Sequence, residues 1–127
     1  MLPLRTTLTV NAISSGITGI LLAAMPGMAA GIFSVADTVP FLEVGIFLIL
    51  FGICVLFVAT RKNISIRSVM LITTLDVLWV IASLIAAMLL SGAVSTLGIV
   101  LIIAVAGWVA LMALLQFKGS SALRAAP

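Results

Sequence analysis

Apolar residues fill four long stretches of this chain, at roughly residues 7–25, 40–60, 68–90 and 96–117, and most charged residues lie in the gaps between them. A helix of about 20 residues, rising 1.5 Å per residue, crosses a hydrocarbon core of about 30 Å. In hydrocarbon, each backbone group must find its partner within the segment, which favours helices, and no strand-length alternation is present. The pattern predicts one all-α membrane domain over residues 1–127, with four transmembrane helices in an up-down bundle.

Proline marks two of the predicted helix ends. Met25-Pro26-Gly27 is expected to stop the first helix, because proline disfavours helical geometry in the residue before it. Pro40 suits the first turn of the second helix. The intervening gap, residues 26–39, is unusually apolar, and we expect it to lie in the outer headgroup region or to fold back onto the bundle.

The composition supports lipid as the main solvent. The chain is 65% hydrophobic and only 7% charged, whereas soluble domains are roughly 45–50% apolar and 25% charged. A chain this short has too little interior to hide so much apolar surface from water.

The basic residues give the predicted orientation. Threading the four stretches alternately through a bilayer places every Lys and Arg on one face, namely Arg5, Arg61, Lys62, Arg67, Lys118 and Arg124. Basic residues in short loops stay on the cytoplasmic side, so both termini are predicted to be cytoplasmic, in a bacterial inner membrane. The net charge of +3 is then explained by basic residues that set the membrane orientation and contact anionic lipid headgroups, and no nucleic-acid binding is predicted.

An alternative interpretation treats the first stretch as a cleaved signal peptide. Met1–Arg5 resembles a charged leading region, and Ala29-Ala30 resembles a small-residue cleavage site. We favour a retained helix, because the apolar run is long for a signal peptide, contains Asn11, and would leave three spans if removed.

The residue types present argue against catalysis, metals and cofactors. The chain has no His and one Cys, Cys54, which excludes imidazole zinc sites, histidine-held haem, a Ser-His-Asp triad and an internal disulfide. We therefore predict no catalytic residues, no metal site, no cofactor and no enzymatic activity.

Small residues recur on three predicted helices. They include Asn11, Ser15, Gly19 and Ala23 in the first stretch, Gly45, Gly52 and Ala59 in the second, and Ala106, Gly107, Ala110 and Ala113 in the fourth. Such faces let helix backbones approach closely in lipid. They indicate packing within the bundle, or docking of a protein partner or a second copy.

Two carboxylates lie inside the predicted spans, and an intramembrane acid is a candidate functional residue. Glu43 sits about one turn into the second span, at the outer rim, where the helix N-terminus and nearby water stabilise it. Asp76 lies deeper, roughly 12 Å below the cytoplasmic surface by helical rise. We predict a polar intramembrane cluster around it, composed of Asp76, Asn11, Thr73, Arg5, Trp79 and Trp108.

In this cluster, Arg5 is expected to snorkel towards Asp76, while Trp79 and Trp108 flank it. Two interpretations remain open: a hydrogen-bond knot that fixes helix register, or a site that handles a proton or ligand.

One sequence pattern suggests a relationship. It comprises Arg5, Asn11, Ser15-Gly16, Asp76, Trp79, Val80 and Gln116. In this pattern the chain resembles a loose group of uncharacterised bacterial four-helix inner-membrane proteins, which implies a four-span fold and no known activity. Small multidrug exporters are poor matches, since their first-helix glutamate is absent. The sequence thus favours a non-enzymatic accessory or structural membrane protein, with a small proton-coupled transporter using Asp76 as the alternative.

Overall fold

The computed structural model describes residues 3–125, with side chains through residue 123, and within that range the chain is all α-helix and connecting turns. The helices are α1 (Leu4–Ala24), α2 (Pro26–Phe33), α3 (Val39–Thr60), α4 (Ile66–Leu90) and α5 (Thr96–Ala125). Helices α1, α3, α4 and α5 are long and apolar enough to cross a membrane. The predicted all-α class and its four long apolar helices are confirmed. The side chain of Arg124 lies outside the described residues.

Local sequence explains the helix boundaries. Helix α1 ends at Ala24, as the proline predicted, and a further helix, α2, begins directly at Pro26. Pro40 occupies the first turn of α3, and Asp37 Oδ1 accepts a hydrogen bond from the Val39 backbone N–H at 3.0 Å, just before that turn. The Ser65 hydroxyl caps α4 by accepting from the Ser68 N–H at 3.3 Å.

The apolar gap after α1 folds back onto the bundle as helix α2, which contacts α1, α3 and α5. Ala29 and Ala30 are buried there. Ser95 secures the end of α2, because its backbone N–H donates to the Phe33 carbonyl at 2.9 Å and its hydroxyl to the Ile32 carbonyl at 2.7 Å. Of the two expected locations for this segment, the structure shows packing against the bundle.

Helix α5 is longer than the sequence pattern predicted. The fourth apolar stretch was predicted to end at residue 117, but the helix continues to Ala125. Ser120 is fully buried, with its hydroxyl 3.7 Å from Met70 Sδ of α4. Gly119 lies against Leu4 of α1, so close that an added Cβ would sit 3.0 Å from the Leu4 Cδ1 atom. These contacts extend the helix because they supply packing that a free tail lacks.

Helices α1 and α3 pack with their backbones almost touching. A Cβ added at Gly19 would lie 2.7 Å from the Gly45 carbonyl oxygen, and one added at Gly45 would lie 2.7 Å from the Ala23 nitrogen. A Cβ at Gly52 would lie 2.9 Å from the Ala12 carbonyl oxygen. On these two helices, the predicted small-residue faces therefore serve packing within the bundle.

The remaining contacts leave one seam where backbones are far apart. Helix α4 packs along α5, and α1 contacts both α3 and α5, whereas the backbones of α3 and α4 come close at only a few positions. The side chains of α3 and α4 still meet with those of α1 in one buried apolar cluster, made of Leu8, Ala12, Val55, Ala59, Val69 and Ile72. Phe47 of α3 and Trp79 of α4 stack across this seam, with ring centroids 6.0 Å apart and planes 3° from parallel. The four long helices therefore surround a space whose α3–α4 side is formed by side chains.

Candidate functional site

Four polar side chains from three helices meet inside the bundle. Asn11 of α1, Thr73 and Asp76 of α4, and Gln116 of α5 are each buried, and Asp76 is only 3% exposed. Burying unpaired polar groups in an apolar interior is costly, so their hydrogen bonds decide whether the arrangement is stable. We call this set, Asn11, Thr73, Asp76 and Gln116, the polar cluster.

Asp76 is the acceptor around which the polar cluster is organised. Its Oδ2 atom accepts one N–H from Asn11 Nδ2 and one from Gln116 Nε2, both at 3.0 Å. Asn11 Nδ2 also donates to Gln116 Oε1 at 2.6 Å, and Gln116 Nε2 also donates to Thr73 Oγ1 at 3.2 Å. Each amide nitrogen has two N–H groups, and all four are used. The carboxylate therefore determines which way each amide is turned.

A second set of bonds joins the polar cluster to Trp108. The Ser15 hydroxyl donates to Asn11 Oδ1 at 3.3 Å, and the Ser14 hydroxyl donates to the Asn11 carbonyl at 3.1 Å. The Trp108 indole N–H donates to the Ser14 hydroxyl at 3.2 Å. These hydrogen bonds connect Trp108 of α5 to α1, next to the polar cluster that contains Asp76.

One carboxylate oxygen of Asp76 lies outside this hydrogen-bond network. Oδ1 accepts no hydrogen bond from the described residues, whereas Oδ2 accepts two. Asp76 lines a cavity of about 310 Å³ between α1, α3, α4 and α5. Its other lining residues are Asn11, Ser14, Ser15, Thr18, Phe47, Leu48, Phe51, Leu75, Trp79, Ala104, Val105, Trp108 and Val109. We call this space the central cavity.

The central cavity is aromatic and carries one acid and no base. Phe47, Phe51, Trp79 and Trp108 form part of its wall, and no Lys or Arg lines it. Trp79 is placed by its stack on Phe47. The predicted flanking positions of Trp79 and Trp108 correspond to two walls of this cavity.

Arg5 does not pair with Asp76, so that expectation is wrong. Its guanidinium donates instead to backbone carbonyls at the end of α3, those of Ala59, Arg61 at 2.8 Å and Lys62 at 3.3 Å. The last carbonyls of a helix have no partner within it, and a cation is favoured at that negative end. Arg5 is exposed, so it satisfies these groups without leaving solvent.

Glu43, the predicted outer-rim acid, is separate from this site. It is exposed near the beginning of α3 and lines neither the central cavity nor the polar cluster. Among the described residues, no group of three or more His, Cys, Asp or Glu side chains is close enough to hold a metal ion.

Gln116 is the site residue that the sequence reasoning did not place. It entered only as part of the family-like pattern, although it is fully buried and bonds to three members of the polar cluster. Its spacing was informative, because Ala106, Ala113, Gln116 and Ser120 all lie on the buried face of α5. A polar residue that shares a face with small residues in a membrane helix is a candidate for an interhelical hydrogen bond.

No protein-family profile, curated protein or solved structure matches this chain. The residues of the site support two capabilities: the polar cluster links α1, α4 and α5, and Asp76 places a carboxylate in the wall of an otherwise largely apolar cavity.

Proposed function

We propose that this chain is a small multi-pass protein of the bacterial inner membrane that acts without catalysis, as an accessory or structural component. The observation that carries the proposal is the use of all four amide N–H groups of Asn11 and Gln116 inside the polar cluster. These side chains are committed to holding helices together. Side chains that could carry out catalysis are also scarce. The chain has no His, and its one cysteine, Cys54, is exposed.

The proposed topology is an up-down bundle with both termini in the cytoplasm. Arg5 of α1 contacts the end of α3, and Leu4 lies against Gly119 of α5, as these helices would in such a bundle. The positive-inside rule then assigns that end to the cytoplasm. A reporter fused after residue 127, outside the described residues, should be active only in the cytoplasm, and one inserted near Asp37 only outside. The reverse pattern would refute this orientation.

The proposed accessory role needs a partner protein or a second copy. Helix α5 offers the small-residue positions that the bundle leaves open, because a Cβ at Gly107 would meet nothing within 4 Å and Ala110 is exposed. Cross-linking in native membranes followed by native mass spectrometry should show a defined complex. Gly107→Leu should weaken it, while Gly16→Leu, at a similarly open position on α1, should not. A chain that remains uncomplexed in native membranes would contradict the accessory role.

A second candidate function is proton-coupled transport through Asp76. The specific observation in its favour is that Asp76, whose Oδ1 atom accepts no hydrogen bond from the described residues, lines the central cavity. Proteoliposomes containing the protein should then show solute-dependent proton movement that Asp76→Asn abolishes in a folded protein. Glu43→Gln, which neutralises the exposed acid, is the control. Flux that survives Asp76→Asn would refute this candidate.

A further inference from the structure

The central cavity has no role in an accessory function, yet its lining has a definite chemical character. We propose that it binds a small amphipathic organic cation, in which an amine or quaternary ammonium group is attached to an apolar body. The inference concerns binding, goes beyond the accessory role and does not require transport.

Charge selects a cation over an anion. The lining contains the Asp76 carboxylate and no Lys or Arg, and Arg5 is held at the end of α3. The two amide N–H groups that reach Asp76 both bind Oδ2, which leaves Oδ1 available to a ligand. An anion in this cavity would face a carboxylate in a low-dielectric setting without a compensating base.

The aromatic wall selects an organic cation over a metal ion. Trp79 and Trp108 are indoles, the ring type that attracts cations most strongly, and Phe47 and Phe51 extend the same wall. A hard metal ion instead requires several oxygen ligands in place of its water shell. Among the described residues no metal-binding group of acids is found, and one carboxylate oxygen with a few hydroxyls cannot replace that shell.

Size limits the ligand. The volume of about 310 Å³ is at the small end of ligand pockets. Such a space accommodates one aromatic ring or short alkyl body together with its ammonium group. On the α3–α4 side, the wall of the cavity is formed by side chains alone, the stacked Phe47 and Trp79, and Phe47 is 46% exposed on the outer surface. An amphipathic cation dissolved in the bilayer therefore has a short path to the cavity.

The chain contains its own optical probe for this binding. Trp79 and Trp108 are its two tryptophans, no tyrosine is present, and both indoles line the central cavity. Selective excitation of tryptophan in the full-length protein, reconstituted in zwitterionic nanodiscs, therefore reports on this site. Because Trp108 is also 43% exposed on the outer surface, an uncharged control ligand is needed to measure the effect of ligand in the surrounding lipid. Benzyltrimethylammonium is a suitable probe, and neopentylbenzene, its uncharged carbon isostere, is the matched control ligand.

We expect a saturable change in tryptophan fluorescence with benzyltrimethylammonium and none with neopentylbenzene at equal membrane concentration. Asp76→Asn should weaken binding about tenfold or more, because the charge is lost while the shape is kept. The substituted amide oxygen can occupy the Oδ2 position and still accept from Asn11 and Gln116, so the fold should persist. Glu43→Gln removes the same charge outside the cavity and should leave the affinity unchanged.

A second pair of variants tests the location without altering the polar cluster. Ala104 lines the central cavity, so Ala104→Leu should fill it and reduce binding about tenfold. Ala110→Leu makes the same change at an exposed position of α5 outside this cavity and should bind normally. Equal binding of the neutral isostere, binding that is unchanged in both Asp76→Asn and Ala104→Leu, or no saturable signal with the cation would each overturn the proposal.

Discussion

Replacement of Gln116 by Met removes hydrogen bonds from the polar cluster while nearly preserving side-chain length and volume. Gln116 donates to Asp76 and Thr73 and accepts from Asn11. After the substitution, Asn11 keeps an N–H without its acceptor, Thr73 loses a donor, and Asp76 Oδ2 retains one of its two bonds. Because no large cavity is created, the change in stability measures mainly the lost polar contacts.

The expected magnitude follows from the number of bonds. Interhelical hydrogen bonds in membrane proteins contribute roughly 0.6 kcal/mol each on average, with a maximum near 1.7. Three such bonds amount to roughly 2–5 kcal/mol. We expect Gln116→Met to lower the free energy of unfolding by an amount in this range, which is a large part of the stability of a small domain.

Reversible unfolding in mixed micelles, followed by circular dichroism, measures this free energy. Leu114→Met, on the lipid-exposed side of the same helix, is the control and should change stability little. An Asn11→Leu variant completes a double-mutant cycle, in which the two losses should be strongly non-additive because the residues share a bond. If Gln116→Met were as stable as the control, the polar cluster would not hold the helices together and the reasoning would fail.

Three further substitutions test the packing. Gly45→Ala should destabilise the protein by roughly 1–3 kcal/mol, because its new Cβ would meet the α1 backbone, whereas Gly16→Ala has open space and should be neutral. Equal thermal stability of the two variants would contradict the close approach of α1 and α3. Arg5→Gln should speed hydrogen exchange at the end of α3, and Arg67→Gln, at another exposed arginine, should not. Unchanged exchange in Arg5→Gln would contradict the stabilisation of this helix end by the Arg5 guanidinium. Ser95→Ala keeps the backbone hydrogen bond to Phe33 but loses the hydroxyl, so it should loosen α2, at a cost of about 1 kcal/mol, and make it more sensitive to proteolysis. Unchanged cleavage would show that the hydroxyl does not hold α2.

The four long helices were predictable because their signal is composition over about 20 residues, which no tertiary contact needs to complete. The continuation of α5 was missed since it depends on contacts of Gly119 and Ser120 with other helices, and no local pattern encodes these contacts. Helix α2 was not predicted as a helix, because its apolar composition suits both an interfacial loop and a helix packed on the bundle.

Three of the four members of the polar cluster, Asn11, Thr73 and Asp76, were predictable from the sequence, but the pattern of hydrogen bonds between them was not. Helical rise placed Asn11 and Asp76 at similar depths, and the structure brings them within a hydrogen bond. Depth alone does not show which helix end lies within reach of Arg5, so its hydrogen bonds to the carbonyls at the end of α3 were not predicted. Gln116 was overlooked because an amide near a span end is ordinarily at the interface, and its burial depends on how α5 is rotated against α4.

The polar cluster also dictates an order of assembly. Asn11 and Gln116 are 105 positions apart in the chain, so their bond forms only after the last helix has entered the membrane. Until then, the amide of Asn11 and the carboxylate of Asp76 lack one of their partners. An incompletely inserted chain therefore leaves polar groups without their full set of hydrogen bonds within lipid, which is costly. The arrival of α5 is thus the step that completes the polar cluster.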